Sequence, residues 1–430
     1  MKFYKIFFTF FVFILSFNYV VLADDENEEI SNNISILTLA SSDMIAEPSI
    51  NSRAAIIYDR TSGSILFGKN ENEKRKMAST TKIMTAIVVI ENANLNDIVT
   101  ISSKAAGTGG SRLGLKTNDK ISVHDLLYGL MLCSGNDAAV ALAEHVGGDL
   151  PSFATLMNNK RSFLKLSSTH FVTPHGLDND DHFTTAYELA VITDYALQNE
   201  TFRKIVETKH YTVSINGNSK TLSNTNELLE NLNGVYGVKT GFTNGANRCL
   251  VTSIKRNNMD IICVVLGADT KKDRTKDSVQ LIEYTFKTFD MVNIREKIIT
   301  EFDNWKLCNS SSFTVQKGIS NNVDVILADL PFDFFPVNCH HINNVSIYIY
   351  CKTTFEAPLH SNTAIGYLTV SVNSKNVLSL DIYNSNEIHQ KNYNNFWTDM
   401  IKNYTSHLES LLYKNIWYGI DKSQIFCYYN

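Results

Sequence analysis

A chain of 430 residues with 44% hydrophobic and 19% charged residues holds enough apolar sequence for a large core and is too long for one ordinary domain, which excludes a disordered protein. A formal net charge of −5 offers no basic footprint for a nucleic acid. Seven scattered cysteines, an odd number, do not form the dense framework of a small disulfide-stapled scaffold.

The chain opens on Met1-Lys2-Phe3-Tyr4-Lys5, continues as an apolar run from Ile6 to Leu22, and reaches Val21-Leu22-Ala23 just before Asp24-Asp25-Glu26. A basic start, an apolar middle and a cleavage-site ending read as a secretory signal peptide over residues 1–23. A retained anchor is the alternative, because the run is close to spanning length. In both cases the body of the protein is expected outside the cytoplasm, secreted or associated with the wall or membrane. Residues 24–50 are acidic and polar and read as a tether.

From residue 51 the chain reads as a folded domain. Ala54 to Asp59 and Ser64 to Phe67 flank the turn Arg60-Thr61-Ser62-Gly63, a hairpin signal. Next comes Met77-Ala78-Ser79-Thr80-Thr81-Lys82, followed at once by the apolar residues Ile83, Met84, Ile87, Val88 and Ile90. A helix starting near Ser79 places its hydroxyl and the Lys82 ammonium one turn apart on one face. S-x-x-K alone is common by chance, and a surface serine near a lysine is the bland alternative.

A loop-rich stretch with four glycines leads from Asn94 to Val123, and helical periodicity returns over His124 to Leu132. Ser134-Gly135-Asn136 joins that helix to a second one from Asp137; taken alone it is an N-cap. Residues 151–230 read as helices and loops, with Thr173-Pro174-His175-Gly176-Leu177 as a turn and Thr185 to Gln198 as a helix. Tyr236 to Phe242, Cys249 to Ile254 and Ile261 to Leu266 read as strands, and Thr275 to Phe289 as an amphipathic helix. Two early strands, three late ones and helices between them predict an α+β fold: an antiparallel sheet covered by helices over residues 51–290, with an inserted helical subdomain.

Beyond residue 290 short alternating runs predict a small all-β C-terminal domain over 291–388. Residues 389–430 form an amphipathic segment in which Phe396, Trp397, Met400, Ile401, Tyr404, Leu408, Leu411, Leu412 and Trp417 recur at helical spacing. Contact with a membrane surface through residues 396–417 and ordinary packing are both open readings. Cys339-His340-His341 lacks a second ligand cluster at zinc-like spacing, so no metal and no cofactor are expected.

Ser79/Lys82, Ser134/Asn136 and Lys239/Thr240/Gly241 present S-x-x-K, S-x-N and K-T-G in that order, the motif set of penicillin-binding proteins and class A β-lactamases. Ser111 to Leu115, Leu126 to Ala139 and Gly234 to Thr243 extend the likeness. Over about Ser52 to Asp290 the chain closely resembles the serine-type D-alanyl-D-alanine carboxypeptidases, low-molecular-mass penicillin-binding proteins of the β-lactamase/transpeptidase-like superfamily. The resemblance implies peptidoglycan stem peptides as substrate, β-lactams as inhibitors, and loss of the terminal D-alanine through an acyl-enzyme.

The residue chemistry suits those roles. A serine hydroxyl needs a neighbouring base, and Lys82 serves only as the neutral amine, a state that burial and a nearby cation, Lys239, both favour. Ser134 can relay a proton towards the leaving amine, and Asn136 can hold the substrate amide. Lys239 and Thr240 suit a carboxylate, and Gly241 leaves the strand backbone bare for a peptide added alongside. The backbone N–H groups of Ser79 and Phe242 are the oxyanion-hole candidates. By resemblance Arg248 helps neutralise the carboxylate; an ordinary surface arginine is the alternative. His170, His175 and His182 read as loop or core histidines. A class A-like β-lactamase is the weaker enzyme reading, since no glutamate lies between Glu144 and Glu188 to deacylate. A non-catalytic wall-binding protein on the same fold is the remaining alternative.

Overall fold

The structure is a computed structural model describing residues 29–39, 45–339 and 343–418; the signal segment read over residues 1–23 lies outside them, as do His340 and His341. The chain divides into two units, one of Leu37–Lys297 with Pro331–Asn343, the other of Ile298–Leu330 and Asn344–Asn430 with the segment ending at Ile36.

In the first unit the early hairpin, Ala54–Asp59 (β1) and Ile65–Lys69 (β2), joins three later strands, Val235–Thr243 (β3), Asn247–Arg256 (β4) and Met259–Ala268 (β5). They form one antiparallel sheet in the order β2-β1-β5-β4-β3, which leaves β3 at an edge. Helices cover both faces, so these strands read as continuous apolar runs rather than alternating ones. Ile56, Ile262 and Val264 pack with the inserted helices. Ile57, Cys263 and Val265 pack with Leu281 and Ile282 of the last helix of the unit, Lys271–Thr288.

The inserted layer centres on the helix Lys82–Asn92 (α1), whose residues from Lys82 to Val89 are all buried. A helix apolar on every side belongs inside, and α1 is walled in by Val123–Met131 (α2) and Asn136–Gly147 (α3). Ser122 caps α2 by accepting from the Asp125 N–H at 3.0 Å, and the alanines of α3 allow close approach. Residues 151–230 also contain a hairpin, His210–Ile215 with Asn218–Ser223, that differs from the helix-and-loop expectation. Its turn is Asn216-Gly217, both at positive φ, the strongest short-range hairpin signal a sequence carries.

The second unit holds a five-stranded sheet with Asn343–Lys352, Ala364–Val372, Lys375–Asn384 and Val325–Leu327, matching the expected β module. Two corrections apply to its boundaries. Glu29–Leu39, read as tether, is an edge strand of this sheet: Ile30, Asn32 and Ile34 turn inward while Glu29, Ser31 and Asn33 face solvent, a period of two that a polar composition masks. Arg295–Asn309, placed in an all-β segment, is a helix burying Ile298, Phe302 and Trp305 at i, i+4 and i+7. The strand Phe289–Asn293 pairs with Phe334–Asn338 and stays with the first unit. The amphipathic segment is the helix Tyr393–Tyr418, with Trp397, Met400, Ile401, Tyr404 and Leu408 exposed. Among the described residues no helix is long and apolar enough to cross a membrane.

Candidate active site

The residue before Ser79 sets the local geometry. Ala78 takes φ +48 and opens a single 3-10 turn, Ala78–Thr81, so α1 begins at Lys82 rather than at Ser79. In a 3-10 turn residues i and i+3 eclipse, which stacks Lys82 directly on Ser79. Thr80 Oγ1 donates to Met77 O at 2.6 Å and Thr81 Oγ1 to Ala78 O at 2.8 Å, fixing the turn.

Lys82 is fully buried. Its Nζ lies 2.8 Å from Ser79 Oγ, 2.7 Å from Asn136 Oδ1 and 2.9 Å from the His175 carbonyl oxygen. Two of these partners accept only. A neutral amine has two N–H groups and one lone pair, so the Asn136 and His175 oxygens take both N–H groups and the lone pair is left for the Ser79 hydroxyl. Burial, then the charge of Lys239, holds the Lys82 ammonium well below its ordinary range, which favours that neutral form. Cys133, beside the site, supplies no compensating anion, because burial pushes its thiol up.

Lys239 is also buried, and burial brings it down to about 7. Its Nζ donates to Thr240 O at 3.0 Å. It sits on edge strand β3, where Thr240 Oγ1 lies 2.9 Å from Thr225 Oγ1. At Gly241 a Cβ would stand 3.2 Å from Ser79 N, so the bare backbone lets β3 press against the Ser79 turn. A cleft of about 470 Å³ runs between them, lined by Ser79, Ser134, Thr240, Gly241, Phe242 and Arg248 among others. Ser134, at φ +60, turns its hydroxyl into this cleft, and among the described residues that hydroxyl has no hydrogen-bond partner. Phe242 is 47% exposed, and the Arg248 guanidinium stacks 3.6 Å from its ring centre.

Asn136 departs from its expected role. Its side chain is buried, with Oδ1 on Lys82 and Nδ2 donating to Gly109 O at 2.7 Å, so it steadies the lysine and the glycine-rich loop rather than facing the cleft. The adjacent Asp137 accepts from the N–H groups of Leu113, Gly114 and Leu115 at 2.7–3.0 Å, bracing the same loop.

Asn224, Thr225, Glu227, Lys271 and Arg274 also line the cleft and were not read from the sequence. Arg274, almost fully buried on Lys271–Thr288, lines the cleft; its Nη2 is 3.3 Å from Glu227, while its Nε is buried without a partner among the described residues. Glu227 also accepts from Lys271 at 2.8 Å and from Thr275 Oγ1 at 2.6 Å. The signal for Arg274 was slight: a charged residue in the same helical register as the core-facing Asp277, Ser278 and Leu281.

The loop of residues 173–182 closes the back of the site. Gly176, at φ +83, lies so close to the turn that a Cβ would meet Ala78 O at 1.9 Å. His182 is buried and held neutral at about 4 by burial. Its Nδ1 accepts from Val172 N at 3.0 Å, so its Nε2–H donates to Thr81 Oγ1 at 2.8 Å. His175, pushed down to about 3 by burial and the Lys82 charge, acts through its backbone carbonyl. Neither is a general base for Ser79. Glu188 is committed to Ser167 N, Ser168 N and Thr169 Oγ1. Among the described residues no group of three or more His, Cys, Asp or Glu is arranged to hold a metal.

A family model described as D-alanyl-D-alanine carboxypeptidase matches residues 41–270. The chain is similar to D-alanyl-D-alanine carboxypeptidase DacF of Bacillus subtilis, with 31% identity over 74% of this chain and 81% of the relative. Among solved structures it is similar to penicillin binding protein 5 from Haemophilus influenzae, with a TM-score of 0.67 and 28% identity, covering 81% of this chain and all of that one. It is also similar to the Streptomyces K15 DD-transpeptidase, with a TM-score of 0.55 and 35% identity, over 56% of this chain and all of that one.

Two outcomes follow from this geometry. Gly176→Ala forces the loop off the Ser79 turn and is expected to cost on the order of 3 kcal/mol in chemical denaturation and to lower peptidase activity by about a hundredfold. The second concerns pH. Lys239 has a folded value of about 7 against 10.5 when unfolded, so between those values the unfolded chain binds more protons and stability rises with pH. The thermal midpoint of the native protein is therefore expected to gain, from pH 7 to pH 10, relative to that of Lys239→Met, which lacks the titration; equal gains would refute the depressed value.

Proposed function

Because the chain belongs to the D-alanyl-D-alanine carboxypeptidase family and is thus a serine-type peptidase, we propose that it removes the terminal D-alanine of peptidoglycan stem peptides through an acyl-enzyme on Ser79 and that penicillins acylate the same serine. The observation that carries this reading is the amine of Lys82, whose two N–H groups meet acceptors and whose lone pair faces Ser79 Oγ.

The substrate's terminal carboxylate lies between Lys239, Thr240 and the guanidinium of Arg274, with Arg248 at the rim. The Phe242 and Ser79 N–H groups receive the oxygen of the penultimate D-alanine carbonyl. Ser79 Oγ attacks that carbon while its proton passes to Lys82. Ser134 Oγ, open to the cleft, takes the proton on to the leaving nitrogen, and free D-alanine departs. Water then attacks the ester, regenerating Ser79 and freeing the shortened peptide. Asn136 acts one step back, by aiming the Lys82 lone pair.

No glutamate lies between Glu144 and Glu188 to activate water against a penicilloyl ester, and Glu188 is already occupied by three donors. The β-lactamase reading is correspondingly weak, and a penicilloyl adduct is expected to persist. A wall substrate implies action outside the cytoplasm, and the stripe of Trp397, Ile401, Tyr404 and Leu408 suits a helix lying on a membrane surface.

Mass spectrometry of the intact protein after exposure to benzylpenicillin is expected to show one stoichiometric adduct, absent from Ser79→Ala, together with D-alanine release from a stem-peptide analogue by the native protein alone. An adduct that survives in Ser79→Ala removes the nucleophile assignment. For the helix, co-sedimentation with lipid vesicles is expected for the full chain and lost in Trp397→Glu with Ile401→Glu; undiminished binding sinks that contact.

A further inference from the structure

The nucleophile turn and β3 are joined by a third element. In the loop of residues 173–182, the His175 carbonyl holds Lys82 Nζ and Gly176 presses on Ala78, while Thr85 Oγ1 donates to Pro174 O at 2.7 Å. Two residues further on, Asp178 reaches the turn that follows β3. Thr243 Oγ1 donates to its Oδ1 at 2.6 Å and the Gly245 N–H to its Oδ2 at 2.9 Å. Four consecutive residues thus connect the base, the nucleophile turn and the far end of the edge strand.

The β3–β4 turn does not need Asp178 for its own closure. Thr243 Oγ1 already accepts from the Ala246 N–H at 3.0 Å, and Thr243 pairs with Asn247 across the hairpin. The carboxylate comes from a segment 65 residues away, so what it adds is attachment of the turn to the loop. Gly245 makes room for it: a Cβ there would stand 2.9–3.0 Å from the Asp178 carboxylate atoms. The residue adjoining Thr243 is Phe242, whose N–H must meet the developing oxyanion.

We infer that Asp178 is a positioning residue for acyl transfer, its two carboxylate oxygens holding the β3–β4 turn so that the Phe242 N–H stands over the carbonyl attacked by Ser79. This inference rests on the reading of Ser79 as nucleophile and Phe242 N–H as oxyanion donor. Asp178 touches no substrate; it acts through Thr243 and Gly245. Its loss shifts one donor without removing binding groups such as Lys239 or Thr240, so the damage falls on the transition state rather than on the bound ground state.

The test uses the full-length protein and a pair of D-alanyl ester substrates differing only in C=O against C=S at the attacked carbon. Sulfur is a poor hydrogen-bond acceptor, so a well-placed hole favours the oxygen ester. For Asp178→Ala, kcat on the oxygen ester is expected to fall about ten- to a hundredfold with KM changed by less than about threefold, and the oxygen-to-sulfur rate ratio to shrink. Gly245→Ala, which displaces the carboxylate from the other side, is expected to behave alike, and Asp178→Asn, which keeps one acceptor, to recover part of the rate. Retained penicillin labelling of Ser79 and an unchanged thermal midpoint show that each variant is folded. A native rate in Asp178→Ala, or a lowered rate with an unchanged oxygen-to-sulfur ratio, overturns the positioning role. A native protein with no preference for the oxygen ester instead removes the oxyanion reading beneath it, and an adduct in Ser79→Ala removes the nucleophile.

Discussion

Two lysine side chains taken out of water beside one cleft are the constraint on which the rest of this site depends. Neither Lys82 nor Lys239 has a carboxylate within salt-bridge distance among the described residues, and the nearest acidic candidate, the Cys133 thiol, is kept neutral by burial. Burying an ammonium without a partner is costly, so each amine leans towards its uncharged form, a lean to which the Lys239 charge adds at Lys82 and the Arg274 charge at Lys239. The helical layer exists to impose this cost. An α1 buried on every face excludes water from Lys82, while Asn136 and the His175 carbonyl offer acceptors that suit an amine without stabilising a full charge as a carboxylate would. Lys239 stands in a different position, on the edge strand beside the cleft-lining Thr240; in the proposed reaction a substrate carboxylate there restores the charge that burial suppresses, which ties binding and proton inventory together at that residue.

The chemistry was legible in the sequence because three short motifs in fixed order each name a residue type with few alternatives, and the sheet was legible because its strands are apolar without interruption. What escaped reading shares a physical cause: it depends on direction, which spacing does not carry. The Asn136 side chain turns inward, its Oδ1 on Lys82 and its Nδ2 on the Gly109 carbonyl. Arg274 is one charge in a strongly charged helix, and only the packing of that helix on β4 and β5 decides which of its cations faces the cleft. The strand Glu29–Leu39 and the helix Arg295–Asn309 were hidden by composition, one polar enough to pass for a tether and the other standing among strands. The hairpin at Asn216-Gly217 was readable and went unread against a background of helices.

Two of the positive-φ residues outside the turns belong to the proposed site: Ala78, next to Ser79, and Ser134 hold this conformation without the freedom of glycine, which survives only where surrounding structure over-determines it. Thr80 and Thr81 pin the first through hydroxyl bonds to the backbone, and the Gly135 N–H bond to Gly129 O, with Asp137 behind it, frames the second. The result is that both hydroxyls aim into one space from rigid supports.

The edge strand Glu29–Leu39 has a consequence for how the molecule is made. Its partner strand, Asn343–Lys352, emerges some three hundred residues later, and the whole peptidase unit is threaded between them. During synthesis the peptidase unit has every strand of its main sheet once Ala268 is out, whereas the second sheet waits for both ends of the chain. The earliest-made strand must therefore remain unpaired, with its backbone groups open to wrong partners, until nearly the last is available. Its alternating serines and asparagines keep it soluble during that interval, so the composition that disguised it as a tether is what lets it wait.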